Sequence, residues 1–132
     1  VRSSGAWALE WSATDAYTTT PPDGLVTAQD GWSVEVRAYC AVNRVHSLEL
    51  LLLRNGATIT AGGTGDNANV NIAQIAEPVR PNLAVPWGIL GSGPMTNLYL
   101  NAQGMLIVSA MLANATWDTG TSRTASGVWI RG

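Results

Sequence analysis

The chain has 132 residues, six of them Trp and none Phe, and all seven of its cations are Arg. Charged residues are only 12% of the total, net charge is −2 and no basic run occurs, which argues against a nucleic-acid surface because phosphate binding needs clustered positive charge. The length suits one domain with a sizeable core. The single Cys40 excludes an intramolecular disulfide and a cysteine zinc site, and the longest apolar stretches, Leu50 to Leu53 and Met105 to Ala113, fall short of the roughly 20 residues of a membrane-spanning helix.

The opening VRSSG lacks an initiator Met and shows no signal-peptide pattern, so it reads as the cut edge of a longer polypeptide. Ala6 to Ser12 alternates Trp7, Leu9 and Trp11 with Ala8, Glu10 and Ser12, the period of a half-buried strand. Thr18 to Gly24 breaks the pattern with paired prolines and an Asp-Gly turn. Trp32 to Asn43 is the best alternating strand, with Val34, Val36, Ala38, Cys40 and Val42 pointing one way.

The clearest hairpin signal lies in Val45 to Thr60. Asn55-Gly56 tolerates positive φ at both positions, which favours a two-residue type I′ turn. That turn pairs Arg54 with Ala57, Leu52 with Ile59, and Leu51 and Leu53 with Thr60 and Thr58. Leucines at 50, 51, 52 and 53 in succession imply that both faces of the strand are covered, by a second sheet or another copy of the chain. With so little charge available to hide apolar surface, Leu51 and Leu53, or their neighbours, are expected at a subunit contact.

Ala61 to Asn69 reads as a polar loop and Val70 to Ala76 as a short strand. Glu77 to Pro86 holds three prolines and favours an extended crossing between sheets, with a strand resuming around Trp87. In Leu98 to Val108, a three-residue loop with Gly104 left-handed pairs Leu100 with Leu106 and Leu98 with Val108. Thr116 to Ser126 is loop-like, and Val128 to Arg131 closes the chain as a last strand. Short strands, turn signals and the lack of a 3.6-residue period predict one all-β domain over 1–132, an antiparallel β-sandwich of jelly-roll type.

From Val34 onward the order of features resembles the C-terminal domains of bacteriophage minor tail and tail-fibre proteins, especially from phages of high-GC Gram-positive hosts. Ile75, Arg80 and Pro81 match a segment in which Ile precedes a Leu-Pro-x-Gly lead and an Arg-Pro pair. Asn101, Gly104 and Leu106 match a later Asp-Gly-type turn. The chain departs at Ala76-Glu77-Pro78-Val79, which replaces that lead, and at Ala102-Gln103, which replaces a plain Asp. The resemblance covers about two-thirds of the chain and implies a homotrimeric knob at a fibre or tail tip. Such a knob would be the C-terminal fragment of a longer virion protein, extracellular when it works, beside other tail proteins and against the host envelope.

No residue pattern points to catalysis or to a cofactor. His46 has no second His to share a metal, no Gly-x-Ser-x-Gly elbow occurs, and Gly62-Gly63-Thr64-Gly65 lacks a following Lys to hold phosphate. Asp66 and Asp118 could meet as a carboxylate pair, but two acids in loops are commonly solvated turn formers. Asn114-Ala115-Thr116 fits a glycosylation sequon, which carries nothing in a protein made in bacteria.

The pattern with most functional content is Trp117-Asp118-Thr119 with Arg123. An indole can stack on the apolar face of a sugar while Asp, Asn or Arg bonds its hydroxyls, and Asp66, Asn67 and Asn69 could add polar contacts if the loop after the central hairpin reaches the same end. The competing reading folds Trp117 back as a lid over the end of the sandwich. Two functions follow: a non-enzymatic domain that adsorbs phage to a host saccharide by many weak contacts, or a trimerisation or capping module without ligand. A carbohydrate-binding module of a secreted hydrolase is a third.

Overall fold

A computed structural model describes residues 17–64, 66–90 and 96–131. The expected Ala6 to Ser12 strand lies outside them. The described elements are β1 (Tyr17–Thr18), β2 (Val26–Ala28), β3 (Trp32–Val42), β4 (Val45–Arg54), β5 (Ile59–Thr60), β6 (Asp66–Ile75), β7 (Val85–Leu90), β8 (Thr96–Leu100), β9 (Met105–Met111), β10 (Thr116–Trp117) and β11 (Ser122–Ile130), with a 3-10 turn at Glu77–Val79. Nine strands form one antiparallel sheet in the order β1-β3-β4-β11-β7-β8-β9-β6-β2, and β5 pairs with β10 in a separate ribbon.

The sheet folds back on itself through β7. Val85, Pro86 and Trp87 pair with β8, whereas Gly88, Ile89 and Leu90 pair with β11. Proline has no N–H to give a ladder, so Pro86 suits a strand that changes partner within six residues. At the opposite seam Gln29 N–H donates to Ile72 O at 2.9 Å and Trp32 N–H to Gln29 O at 3.1 Å, which ties the β2–β3 turn to β6. The result is all-β and nearly closed, as expected of a sandwich or barrel. The meander β7-β8-β9 with β6 lying beside β9 is a Greek key, of which a jelly roll carries two.

The core comes from the inward residues of both halves: Leu48, Leu50, Leu52 and Ala125 from one, and Ile72, Ile75, Leu98, Leu100, Leu106 and Val108 from the other. The β8–β9 hairpin has the expected register, with Leu98 opposite Val108, Leu100 opposite Leu106, and Gly104 at φ 85. An added Cβ at Gly104 would lie 2.6 Å from Ile75 O and 2.5 Å from Arg80 Nε, so glycine is required there on two counts.

The hairpin expected at Asn55-Gly56 does not form. Neither residue has positive φ, so a type I′ turn is excluded. Both backbone N–H groups instead donate to Gly31 O, each at 2.9 Å. The register of β4 is set by long ladders to β3 and β11, and the chain turns a corner at Asn55 into the β5–β10 ribbon. The turn that closes a hairpin on β4 is Asn43-Arg44, with Asn43 at φ 55 and Val42 opposite Val45.

Three further expectations are corrected. A bulge between Val36 and Ala38 reverses the phase of β3, so Val34 and Val36 pack against the core while Tyr39 and Ala41, not Cys40 and Val42, are buried beyond it. The stretch from Asp66 belongs to β6 and not to a loop. β11 begins at Ser122, six residues before the expected strand. Its inward positions Ala125 and Gly127 are small, and an added Cβ at Gly127 would come 2.2 Å from Trp87 Nε1.

Candidate functional site

The end of the sandwich that carries the predicted ligand residues is built on two tryptophans. Trp32 starts β3 and Trp117 ends β10, and their rings meet edge to face at 4.9 Å and 85°. Arg54, at the end of β4, lies with Cζ 4.9 Å from the Trp32 ring centre, and Arg123 of β11 lies with Cζ 4.7 Å from that of Trp117. The four side chains therefore stack as cation, indole, indole, cation, each guanidinium facing the negative face of a ring.

The guanidiniums also tie down loop backbone. Arg54 donates from Nε to Ala57 O at 2.8 Å and from a terminal nitrogen to Gly31 O at 3.3 Å. Arg123 donates to Thr116 O at 3.3 Å and Thr96 Oγ1 at 3.4 Å. Burial pulls the Arg123 pKa below the usual guanidinium value, and the nearby Asp118 carboxylate opposes that shift. Thr119 adds two bonds, from its backbone N–H to Thr58 Oγ1 at 3.2 Å and from its hydroxyl to Gly56 O at 2.7 Å.

Trp117 is 0% exposed, and its Nε1–H donates to Thr121 O at 3.0 Å. Trp32 meets its ring and Arg123 covers a face, so the stacking platform expected of Trp117 is not presented. The residue is the packed lid of the competing reading. Asp118 beside it is exposed and Arg123 half-buried. For Asp66 and Asn67 the structure describes the backbone alone, in β6, with Asp66 opposite Ala110. Strand register puts that point at the same end of the sandwich, since Ala110 also opposes Asn97 and Thr96 bonds Arg123. The structure thus brings Trp117, Asp118 and Arg123 together, places the start of β6 on the same end, and buries the one ring among them.

Two depressions open near this end. One, of about 360 Å³, is lined by Thr96, Asn97, Ala110, Met111 and Leu112. The other, of about 410 Å³, is lined by Ala28, Gln29, Asp30, Arg54, Val70 and Asn71, and is the more polar. Sequence reasoning missed the second, because its residues come from three strands far apart in the chain. The only local signals were a Gln-Asp-Gly turn at 29–31 and an Asn-Val-Asn run at 69–71.

At the opposite end Tyr39, His46, Trp129 and Trp87 form a file of rings. His46 stacks on Trp129 at 5.9 Å, and Trp129 stacks on Trp87 at 5.9 Å. Tyr39 Oη lies 3.4 Å from His46 Nδ1, and Trp129 Nε1–H donates to Val79 O at 2.7 Å. Burial lowers the His46 pKa, helped by the Arg131 charge, and burial raises that of Tyr39. These are packing contacts, and among the described residues no group of three His, Cys, Asp or Glu side chains could hold a metal ion.

Leu51 and Leu53 lie on the outward face of β4, half-buried, opposite Glu35 and Thr124 and opposite Ser33 and Ser122. The larger exposed apolar residues of that face are elsewhere: Val128 is 60% exposed, Ile130 64% and Leu90 47%. Ile130 lies opposite Val45 and Val128 opposite Ser47, so an apolar patch runs along the far end of β4 and β11.

No family model matches the chain, and a comparison with curated proteins finds no match either.

Proposed function

We propose that this chain is a non-enzymatic recognition domain of a bacteriophage fibre or tail tip, a jelly-roll-like knob that works as a homotrimer and adsorbs to a saccharide of the host surface. The observation that carries the reading is the rigid polar end of the sandwich. The Arg54–Trp32–Trp117–Arg123 stack locks its loops, and polar side chains from several strands line one of the two depressions there. A site held in place before binding loses little conformational entropy on taking a sugar, so weak contacts suffice. Three such sites on one knob, and several knobs on one particle, multiply weak binding into firm adsorption. Asp118, Arg123, Asp66 and Asn67 remain candidate contacts at the rim, and Trp117 acts beneath them as support.

The trimer reading moves along the outward face. Val45, Val128 and Ile130, together with Leu51 and Leu53, are the residues a neighbouring copy would cover. A second reading, a trimerisation or capping module without ligand, is favoured by the burial of Trp117. A glycan array probed with multimerised protein separates the two. Binding to a defined set of glycans supports recognition, and a blank array with folded, multimeric protein supports the structural module. Sedimentation at micromolar concentration tests the assembly, and a single monomeric species would refute it.

A further inference from the structure

The polar groove between the β2–β3 turn and β4 has the properties of a built subsite. Hydrogen bonds and a ring contact hold its walls. Gln29 N–H is held by Ile72 O, Trp32 N–H by Gln29 O, and Arg54 by the carbonyls of Ala57 and Gly31 and by the Trp32 ring. Its floor is Val70 and Asn71, and the β6–β9 register shifts on both sides of that pair, between Asp66 and Val70 and between Asn71 and Ala73. Bulges re-aim side chains and recur beside binding sites. Asn69, just before the floor, is held at φ 35, a conformation that a non-glycine residue seldom adopts.

The lining decides the ligand. Asp30 offers acceptors only, Arg54 donors only, and Gln29 and Asn71 offer both. A sugar hydroxyl donates and accepts at once, so it fits this mixed set. Asp30 and Asn71 are exposed and have no side-chain hydrogen bond among the described residues. Val70 and Ala28 supply a small apolar patch for the C–H face of a ring. The volume of about 410 Å³ falls within the range of small-molecule sites. The lining holds one carboxylate, Asp30, and one guanidinium, Arg54, so its formal charges balance and the groove offers little net attraction to an anion. The geometry points to this groove as the subsite for one neutral pyranose unit, an assignment that rests on the saccharide-binding reading above.

The test uses the full chain, labelled with nitrogen-15 and titrated with the methyl glycosides of glucose, galactose, N-acetylglucosamine and glucuronic acid at millimolar concentration. At least one neutral glycoside should shift the amide signals of Gln29, Asp30 and Asn71. The doubly substituted Asp30→Ala, Asn71→Ala chain should bind it roughly tenfold more weakly or worse, consistent with losing hydrogen bonds to a charged and an amide group. Both residues are exposed, so its thermal unfolding midpoint should match that of the parent. If a glycoside binds but the double variant keeps its affinity, or Asp118→Ala loses binding instead, the groove assignment falls and the saccharide reading survives. Binding of the glucuronide alone overturns the neutral-sugar assignment. If no glycoside shifts any signal and the glycan array is also blank, both readings fall together.

Discussion

Replacing Trp117 by Ala tests whether the indole is a support or a platform. Its ring is 0% exposed, bonded to Thr121 O at 3.0 Å, in edge contact with Trp32 and covered by Arg123. A buried Trp removes about 200 Å² from water, worth about 5 kcal/mol at about 25 cal/mol per Å², and large-to-small changes of this kind cost about 3–5 kcal/mol in practice. The carbonyl of Thr121 keeps only the Arg54 backbone N–H, at 3.1 Å, and Arg123 loses its ring, so the upper end of that range is expected. Against a total stability of about 5–15 kcal/mol this is a large fraction, and the unfolding midpoint should drop by about 10–20 °C. Urea unfolding followed by Trp fluorescence gives the free-energy change directly. Trp117→Phe, which keeps a ring but not the N–H, should recover more than half of the loss. On the saccharide reading proposed above, binding measured below the unfolding transition should survive in the Phe variant. A Trp117→Ala protein that is as stable as the parent yet no longer binds cells would refute the placement of the indole inside the fold.

Two further outcomes concern glycine positions and the buried histidine. Gly104→Ala and Gly120→Ala both place a methyl group on a residue with φ near 86°, but only at Gly104 does the new carbon meet Ile75 O and Arg80 within 3 Å. Gly120→Ala should cost about 1 kcal/mol, the ordinary strain of the left-handed region, and Gly104→Ala at least about twice that, as read from chemical denaturation. His46 is held neutral by burial and by Arg131, with its pKa below the usual value of 6.5, and Tyr39 lies beside it. Above pH 6.5 both folded and unfolded chains carry it neutral. As pH falls below that value the unfolded chain takes up the proton first, so stability declines until the folded pKa is passed. In a His46→Gln variant this part of the pH dependence should vanish; an unchanged slope would show that another group is responsible.

The parts of the fold that sequence made legible are those whose signal is both local and decisive. The β8–β9 hairpin is one, because Gly104 must be left-handed where it stands and the flanking aliphatic residues accept a single register. β4 was legible as a strand but not in its partners. Asn55-Gly56 is a strong local turn signal, yet Leu48, Leu50 and Leu52 bury fully only when β4 lies between β3 and β11, and that longer ladder wins. β11 was hidden because its inward residues are chosen to leave room: Gly127 lies against the Trp87 indole, and alternation of Arg, Ala and Gly with Ser and Thr does not read as amphipathic. At the site the sequence left both readings of Trp117, platform and lid, open for a related reason. Asp118, Thr119 and Gly120 are exposed, and nothing in their sequence says that the residue before them turns inward onto Trp32.

β7 serves both halves of the protein with one continuous run of backbone, three residues to each ladder. A pull on either half is therefore carried to the other by covalent bonds, where two separate layers would rely on side chains sliding past one another. If the chain is the fibre-tip module proposed above, force applied to one half of the sheet would reach the other through the β7 backbone. The halves should yield in a single step, which a single-molecule stretching trace would record as one rupture peak.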